Sequence, residues 1–253
     1  MTEFRPGRFQ ILPTIIKNII IINVLIFIAQ VTVGKNTNFF EDTFALHTWQ
    51  SPLFQPWQLI THMFLHGGID HIFFNMFALW MFGSILENLW GPKKFLIFYI
   101  VCGLGAALCH LLVLYFETQN MISQFNAINS VATLESFISK YGQSQTGTLS
   151  VSPAAANDAL ITNLNEPTLG ASGAIFGCLA AFGYLFPNTY IYLYFFLPIK
   201  AKWFVIGYIA VELFSTFQNS AGDNIAHVAH LGGALVGLIL VYFWNKKNRR
   251  TFY

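Results

Sequence analysis

Charge is what this sequence has least of. Its 253 residues carry 13 Lys and Arg and 11 Asp and Glu, only 9% of the chain, where a soluble globular domain carries about a quarter. With 55% hydrophobic residues and a mean hydropathy of +0.55, that scarcity excludes a soluble domain and reads as an integral membrane protein. The net charge of +2 gives no reason to expect a nucleic-acid partner. Cysteine is scarce too. Cys102, Cys109 and Cys178 fall in apolar runs and no CxxC pair occurs, so inert buried thiols are expected and redox chemistry is not. No internal repeat is evident. No small-residue cleavage site follows the first apolar run, which is therefore expected to be an anchor and not a removed signal peptide.

What the chain does have is apolar length. A spanning helix needs about 20 mostly apolar residues. Six runs qualify as candidates: Ile15 to Val33, Phe64 to Leu89, Phe95 to Phe116, a short one from Gly170 to Phe186, Ala201 to Phe217, and Asn224 to Trp244. The expected fold class is all-α, a polytopic membrane protein built as a six-transmembrane-helix bundle. The expected organisation is a single domain over residues 1–253: a tail at 1–14, a six-helix core at 15–244 with external loops at about 34–61 and 117–169, and a basic tail at 245–253. Six spans place Arg5, Arg8, Lys17, Lys93, Lys94, Lys200, Lys202, Lys246, Lys247, Arg249 and Arg250 on one side, against Lys35 and Lys140 on the other. Basic residues favour the cytoplasm, so both termini are expected there. In the second loop Ile128, Val131, Leu134, Ile138 and Tyr141 recur at roughly helical spacing, which suits either a surface-lying amphipathic helix or a partly ordered loop.

Three constellations carry chemistry. The first is GASGAIFG, with Gly170, Ser172, Gly173, Phe176 and Gly177. Gly173 and Gly177 form a GxxxG pair that lets another backbone approach closely, and a Ser in such a stripe is either packing or a nucleophile. The second is AHVAHLGGALVG, where Gly233 and Gly237 form another GxxxG pair beginning one turn after His230. An intramembrane His is costly and asks for a partner. If the two glycine faces pack, Ser172 and His230 can meet as a nucleophile and its base. The third is HMFLHGGIDHIFFN. His71 and Asn75, at i and i+4, share a helix face, and both can donate to a developing oxyanion. A metal site drawn from His62, His66, His71, His227 and His230 competes with this reading. No H-E-x-x-H signature supports it, and neither a metal nor any other cofactor is expected.

Together these motifs resemble the rhomboid family of intramembrane serine proteases. GASG with Ser172 is similar to the family's GxSG element, His71 and Asn75 to its HxxxN element, and His230 with Gly233 and Gly237 to its HxxGxxxG element. The likeness runs from about Pro56 to about Val241. It implies a serine endopeptidase of the compact six-helix bacterial type, in which Ser172 is the nucleophile and His230 the general base and acid, with His71, Asn75 and the Ser172 N–H holding the oxyanion. The glycine spacing selects His230 over His227. The resemblance further implies that His66 supports the site, that Phe176 packs on the catalytic His, and that Glu87 is a carboxylate tethering the first external loop. The family's dyad needs no carboxylate, and none is expected near His230 beyond Asp223 at the helix edge. His62 reads as structural. The family's Trp-Arg pair in the first loop has Trp49-Gln50 as its nearest likeness.

Hydrolysis needs water, so the polar side chains His62, His66, His71, Asn75, Ser172, His227 and His230 are expected to line a cavity open to the external side. Expected partners are transmembrane protein substrates and the lipid bilayer, with helix-breaking or small residues near the outer end of the substrate helix and entry past the fifth helix. The expected location is the bacterial plasma membrane. A non-catalytic membrane-protein-binding relative and a small transporter are the alternatives. The first would lack the Ser or the His, and the second would show paired repeat halves.

Overall fold

The computed structural model describes residues 9–34, 37–128, 164–193, 197–218 and 227–249. Helix α1 spans Thr14–Thr32. Two short helices follow, α2 at Phe39–Phe44 and α3 at Gln58–Thr61, the latter running into a 3-10 turn at His62–Phe64. Helix α4 covers Ile69–Trp90 and widens to a π-helical stretch at Leu79–Gly83. Helix α5 spans Pro92–Ile128, α6 Ser172–Leu185, α7 Ala201–Gln218 and α8 His227–Arg249. Between α6 and α7 lies an antiparallel hairpin, β1 at Tyr190–Leu193 and β2 at Leu197–Lys200, with Tyr190 opposite Lys200.

The protein is a helical membrane bundle. Among the described residues α1, α4, α5 and α8 are long and apolar enough to cross a bilayer. Helix α6 is apolar but has 14 residues, about 21 Å at 1.5 Å per residue, short of a hydrocarbon core of about 30 Å. Large apolar side chains such as Leu25, Phe73, Phe74, Trp203, Phe214 and Phe243 face outward, as a lipid-facing surface requires. The interior is built on small residues. A Cβ on Gly237 would come within 2.7 Å of the Gly177 Cα, and one on Gly233 would overlap the Gly173 carbonyl. Ala106 and Cys102 of α5 close over Gly173 and Gly177 from the third side. Gly173 meets Gly233 and Gly177 meets Gly237, so α6 and α8 run parallel, with α8 extending about five residues beyond the start of α6.

Several boundaries differ from the sequence expectation. The second span begins at Ile69 and not Phe64, because Leu65 is extended and Gly67 and Gly68 break the chain before the helix. The third runs on to Ile128 and not Phe116, since no Gly or Pro interrupts residues 106–128. The helix therefore takes in residues 117–128 of the expected loop at 117–169. Val131, Leu134, Ile138, Tyr141 and Asp223 lie outside the described residues. The first loop contains α2 and α3. Its carboxylate Glu41 accepts a hydrogen bond from Gln30 Nε2 on α1 (3.0 Å). The hairpin adds the only strands among the described residues, where Pro187 and Pro198 disfavour helix.

Candidate active site

The site lies where the start of α6 and the first turns of α8 meet α4 and α7. Ser172 is the first residue of α6, and its Oγ stands 2.8 Å from His230 Nε2 on α8. The Gly173–Gly233 contact one residue further on brings the two backbones close enough for these short side chains to touch. Phe176, one turn beyond Ser172, lies flat on the His230 ring, with centroids 4.3 Å apart and planes 6° from parallel. Tyr208 of α7 stacks on the other side of Phe176 at 5.1 Å.

The other ring nitrogen of His230 is engaged by a residue the sequence reading missed. Glu212, on α7, is 7% exposed, and its Oε2 is 3.0 Å from His230 Nδ1 and 2.6 Å from His227 Nδ1. A carboxylate only accepts, so each Nδ1 carries the proton and donates to it. His230 Nε2 is then a lone pair facing the Ser172 hydroxyl, which donates. The expectation that no carboxylate stands beside His230 is therefore corrected. Glu212 stands 18 residues before His230 and arrives from another helix, so proximity along α8 does not show it. A signal was present, since a lone carboxylate inside an apolar run marks a functional site by default.

Glu212, His227 and His230 are also a set of three ligand-type groups with donor atoms within 4.8 Å of one another. The 2.6 Å contact is a hydrogen-bond distance. Two ligands on a tetrahedral zinc, each about 2.0–2.1 Å from the ion, would stand about 3.3 Å apart. The observed spacing matches hydrogen bonding better. His62, His66 and His71 belong to no such set among the described residues.

Opposite the Ser172–His230 pair lies the start of α4. Gly67 N–H points to His71 Nδ1 (3.4 Å), a long contact that leaves Nε2 as the donor nitrogen. Gly170 sits against this ring: a Cβ there would be 2.9 Å from His71 Nε2 and 3.5 Å from Ser172 Oγ, and its φ of +131° disfavours any side chain. Asn75 is one turn along the same face of α4, and its Nδ2 is buried with no acceptor among the described residues. His66 packs edge-on against His71 with centroids 5.0 Å apart. Gln30 clasps the backbone of His66: its Oε1 accepts from His66 N–H (3.1 Å), and its Nε2 donates to the His66 carbonyl (3.4 Å). His62 donates from Nδ1 to the Gln58 carbonyl (2.7 Å), and its own carbonyl accepts from Gly170 N–H (2.9 Å). Burial pushes the His62 imidazole down to about 4 and the His66 imidazole down to about 3, so both are neutral at neutral pH.

Glu87 is the one candidate residue the structure places elsewhere. It lies near the C-terminal end of α4, and its two carboxylate oxygens accept the N–H groups of Ile15 and Ile16 at 2.9 Å each. It caps the start of α1, whose first-turn donors have no intrahelical partner. The expected tether to the first external loop is corrected, since that loop adjoins the opposite end of α4.

The arrangement supplies a hydroxyl, an imidazole nitrogen able to take its proton, and a cluster of N–H donors across from them. The rhomboid domain family matches residues 53–247. The chain is 26% identical over 193 residues to Rhomboid protein 1, mitochondrial, of Saccharomyces cerevisiae, covering 74% of this chain and 42% of that protein. It is 26% identical to Rhomboid protease GluP of Bacillus subtilis over 72% of this chain and 24% of that protein. It is also 26% identical to Rhomboid protease AarA of Providencia stuartii, over 73% of this chain and 54% of that one. The chain thus spans between a quarter and about half of the length of these relatives.

Proposed function

This chain belongs to the rhomboid family, and from that premise we propose that it is an intramembrane serine endopeptidase cutting peptide bonds in or near transmembrane helices of membrane proteins. The observation that carries the proposal is the 2.8 Å contact between Ser172 Oγ and His230 Nε2, inside a helical membrane bundle where an unpaired hydroxyl or imidazole is costly. Ser172 Oγ attacks the scissile carbonyl while its proton passes to His230 Nε2. The resulting oxyanion is held by His71 Nε2–H, Asn75 Nδ2–H and the Ser172 N–H. His230 returns the proton to the leaving amine, and the C–N bond breaks. A water then gives a proton to His230 and attacks the acyl carbon, and Ser172 regains its proton as the acid leaves.

Six helices, α1 and α4 to α8, are proposed to span or enter the bilayer, with both termini cytoplasmic. That topology follows the eleven-to-two distribution of basic residues. The site then opens to the external side, in a bacterial plasma membrane. Substrates are transmembrane segments whose helix loosens readily, since a hydrogen-bonded helical amide is shielded from attack.

The test is incubation of the purified full-length protein and its Ser172→Ala variant with a fluorescent transmembrane substrate in liposomes, with fluorophosphonate labelling alongside. Cutting and labelling by the parent, both lost in the variant, is the expected result. A variant that cuts as the parent does, or a parent that neither cuts nor labels, rejects the reading.

A further inference from the structure

We propose that Glu212 is a positioning residue for His230, so that the site works as a Ser172–His230–Glu212 relay of contacts and not as a two-residue dyad. The inference rests on the protease reading above and goes beyond it, because neither the motifs nor the family pattern calls for a carboxylate.

Three observations carry it. The first is position: Glu212 Oε2 meets His230 Nδ1 at 3.0 Å while Nε2 of the same ring meets Ser172 Oγ at 2.8 Å, so carboxylate, ring and hydroxyl form one chain of hydrogen bonds. The second is cost. A carboxylate buried in a bundle core is retained only where it is paired, and among the described residues the contacts that pair it go to two imidazoles of this site. The third is bracing. His227 Nδ1–H donates to the same Oε2 at 2.6 Å, and Phe176 covers the face of the His230 ring. The carboxylate and the ring are thereby each held in one orientation.

The consequence is electronic and geometric. Glu212 holds the proton of neutral His230 on Nδ1 and leaves Nε2 as the acceptor that Ser172 needs. When Nε2 takes the Ser172 proton, the ring becomes an imidazolium beside a carboxylate, which stabilises it. Glu212 takes no proton at any step. Proton and electron pair move only between Ser172, His230, the leaving amine and water.

The test measures the ring directly. The full-length Ser172→Ala protein is labelled with 15N-histidine, and its His230 nitrogens are assigned by comparison with a His230→Gln variant. The expected spectrum shows Nδ1 protonated and Nε2 bare, and a Glu212→Gln exchange in the same background moves the proton toward Nε2. His230 carrying its proton on Nε2 with Glu212 intact overturns the proposal, whatever any variant does. In the active protein, Glu212→Gln is expected to lower kcat on the order of 10²- to 10⁴-fold, as loss of an orienting carboxylate does, with KM and thermal midpoint little changed. Glu212→Asp recovers part of the rate. Unaltered kcat in a folded Glu212→Gln protein overturns the proposal as well. A parent without activity would reject the protease reading instead, and the tautomer would still decide what Glu212 does.

Discussion

Gly233 lies so close to the Gly173 carbonyl that a methyl group on Gly233 would overlap the oxygen, and this contact sets the distance between Ser172 and His230. The two backbones can neither part without losing their packing nor tolerate a side chain between them. Gly233→Ala is therefore expected to separate α6 from α8 and to abolish serine-probe labelling while leaving a membrane-inserted protein. Gly207→Ala on α7, where a Cβ meets nothing within 4 Å, is the control and should label as the parent does. Equal labelling of both variants would show that close approach is not what holds the pair.

Asn75 offers a buried N–H donor with no acceptor among the described residues, one turn from His71. Asn75→Ala should slow cleavage about 10²-fold, since one oxyanion donor contributes about 3 kcal/mol, with KM nearly constant and probe labelling slowed in step. Other donors remain, so activity should persist above that of Ser172→Ala. A loss as complete as that of Ser172→Ala would assign Asn75 a different part.

Glu87 lies at the end of α4 opposite the active site and binds the first turn of α1. Glu87→Ala removes two charge-assisted hydrogen bonds from the first turn of α1 and should cost about 3 kcal/mol of stability. The expected readout is a lowered thermal midpoint in detergent, with kcat per folded molecule unchanged below the transition. A drop in kcat without loss of stability would contradict a capping role.

His62 is held neutral by burial, with its imidazole pushed down to about 4. The unfolded chain binds this proton near pH 6.5 and the folded one does not. Stability is therefore fully present above about pH 6.5 and falls as the pH drops toward 4. At pH 5 the loss from this one residue is about 2 kcal/mol. His62→Gln, which keeps a donor for the Gln58 carbonyl, should flatten the decline of thermal midpoint between pH 7 and 5. A parallel decline in parent and variant would locate the acid sensitivity elsewhere, with His66 the next residue to change.

The sequence alone determined the class of molecule and the identity of its polar machinery. Scarce charge with long apolar runs dictates helices in lipid, because only there are backbone donors satisfied without water. The two GxxxG pairs specify which faces of α6 and α8 meet. Ser172 stands one residue before its first glycine and His230 one turn before its own, so their adjacency was legible in the chain. What only the tertiary structure decided was the third helix. Nothing in the periodicity of α7 sets its rotation about its own axis, and that rotation is what turns Glu212 inward to both imidazoles. It also decided that Glu87 caps α1, because a carboxylate's partner depends on which helix end lies beside it. Contacts along one helix or through a glycine stripe follow from spacing, whereas those between elements distant in sequence follow from how the bundle closes.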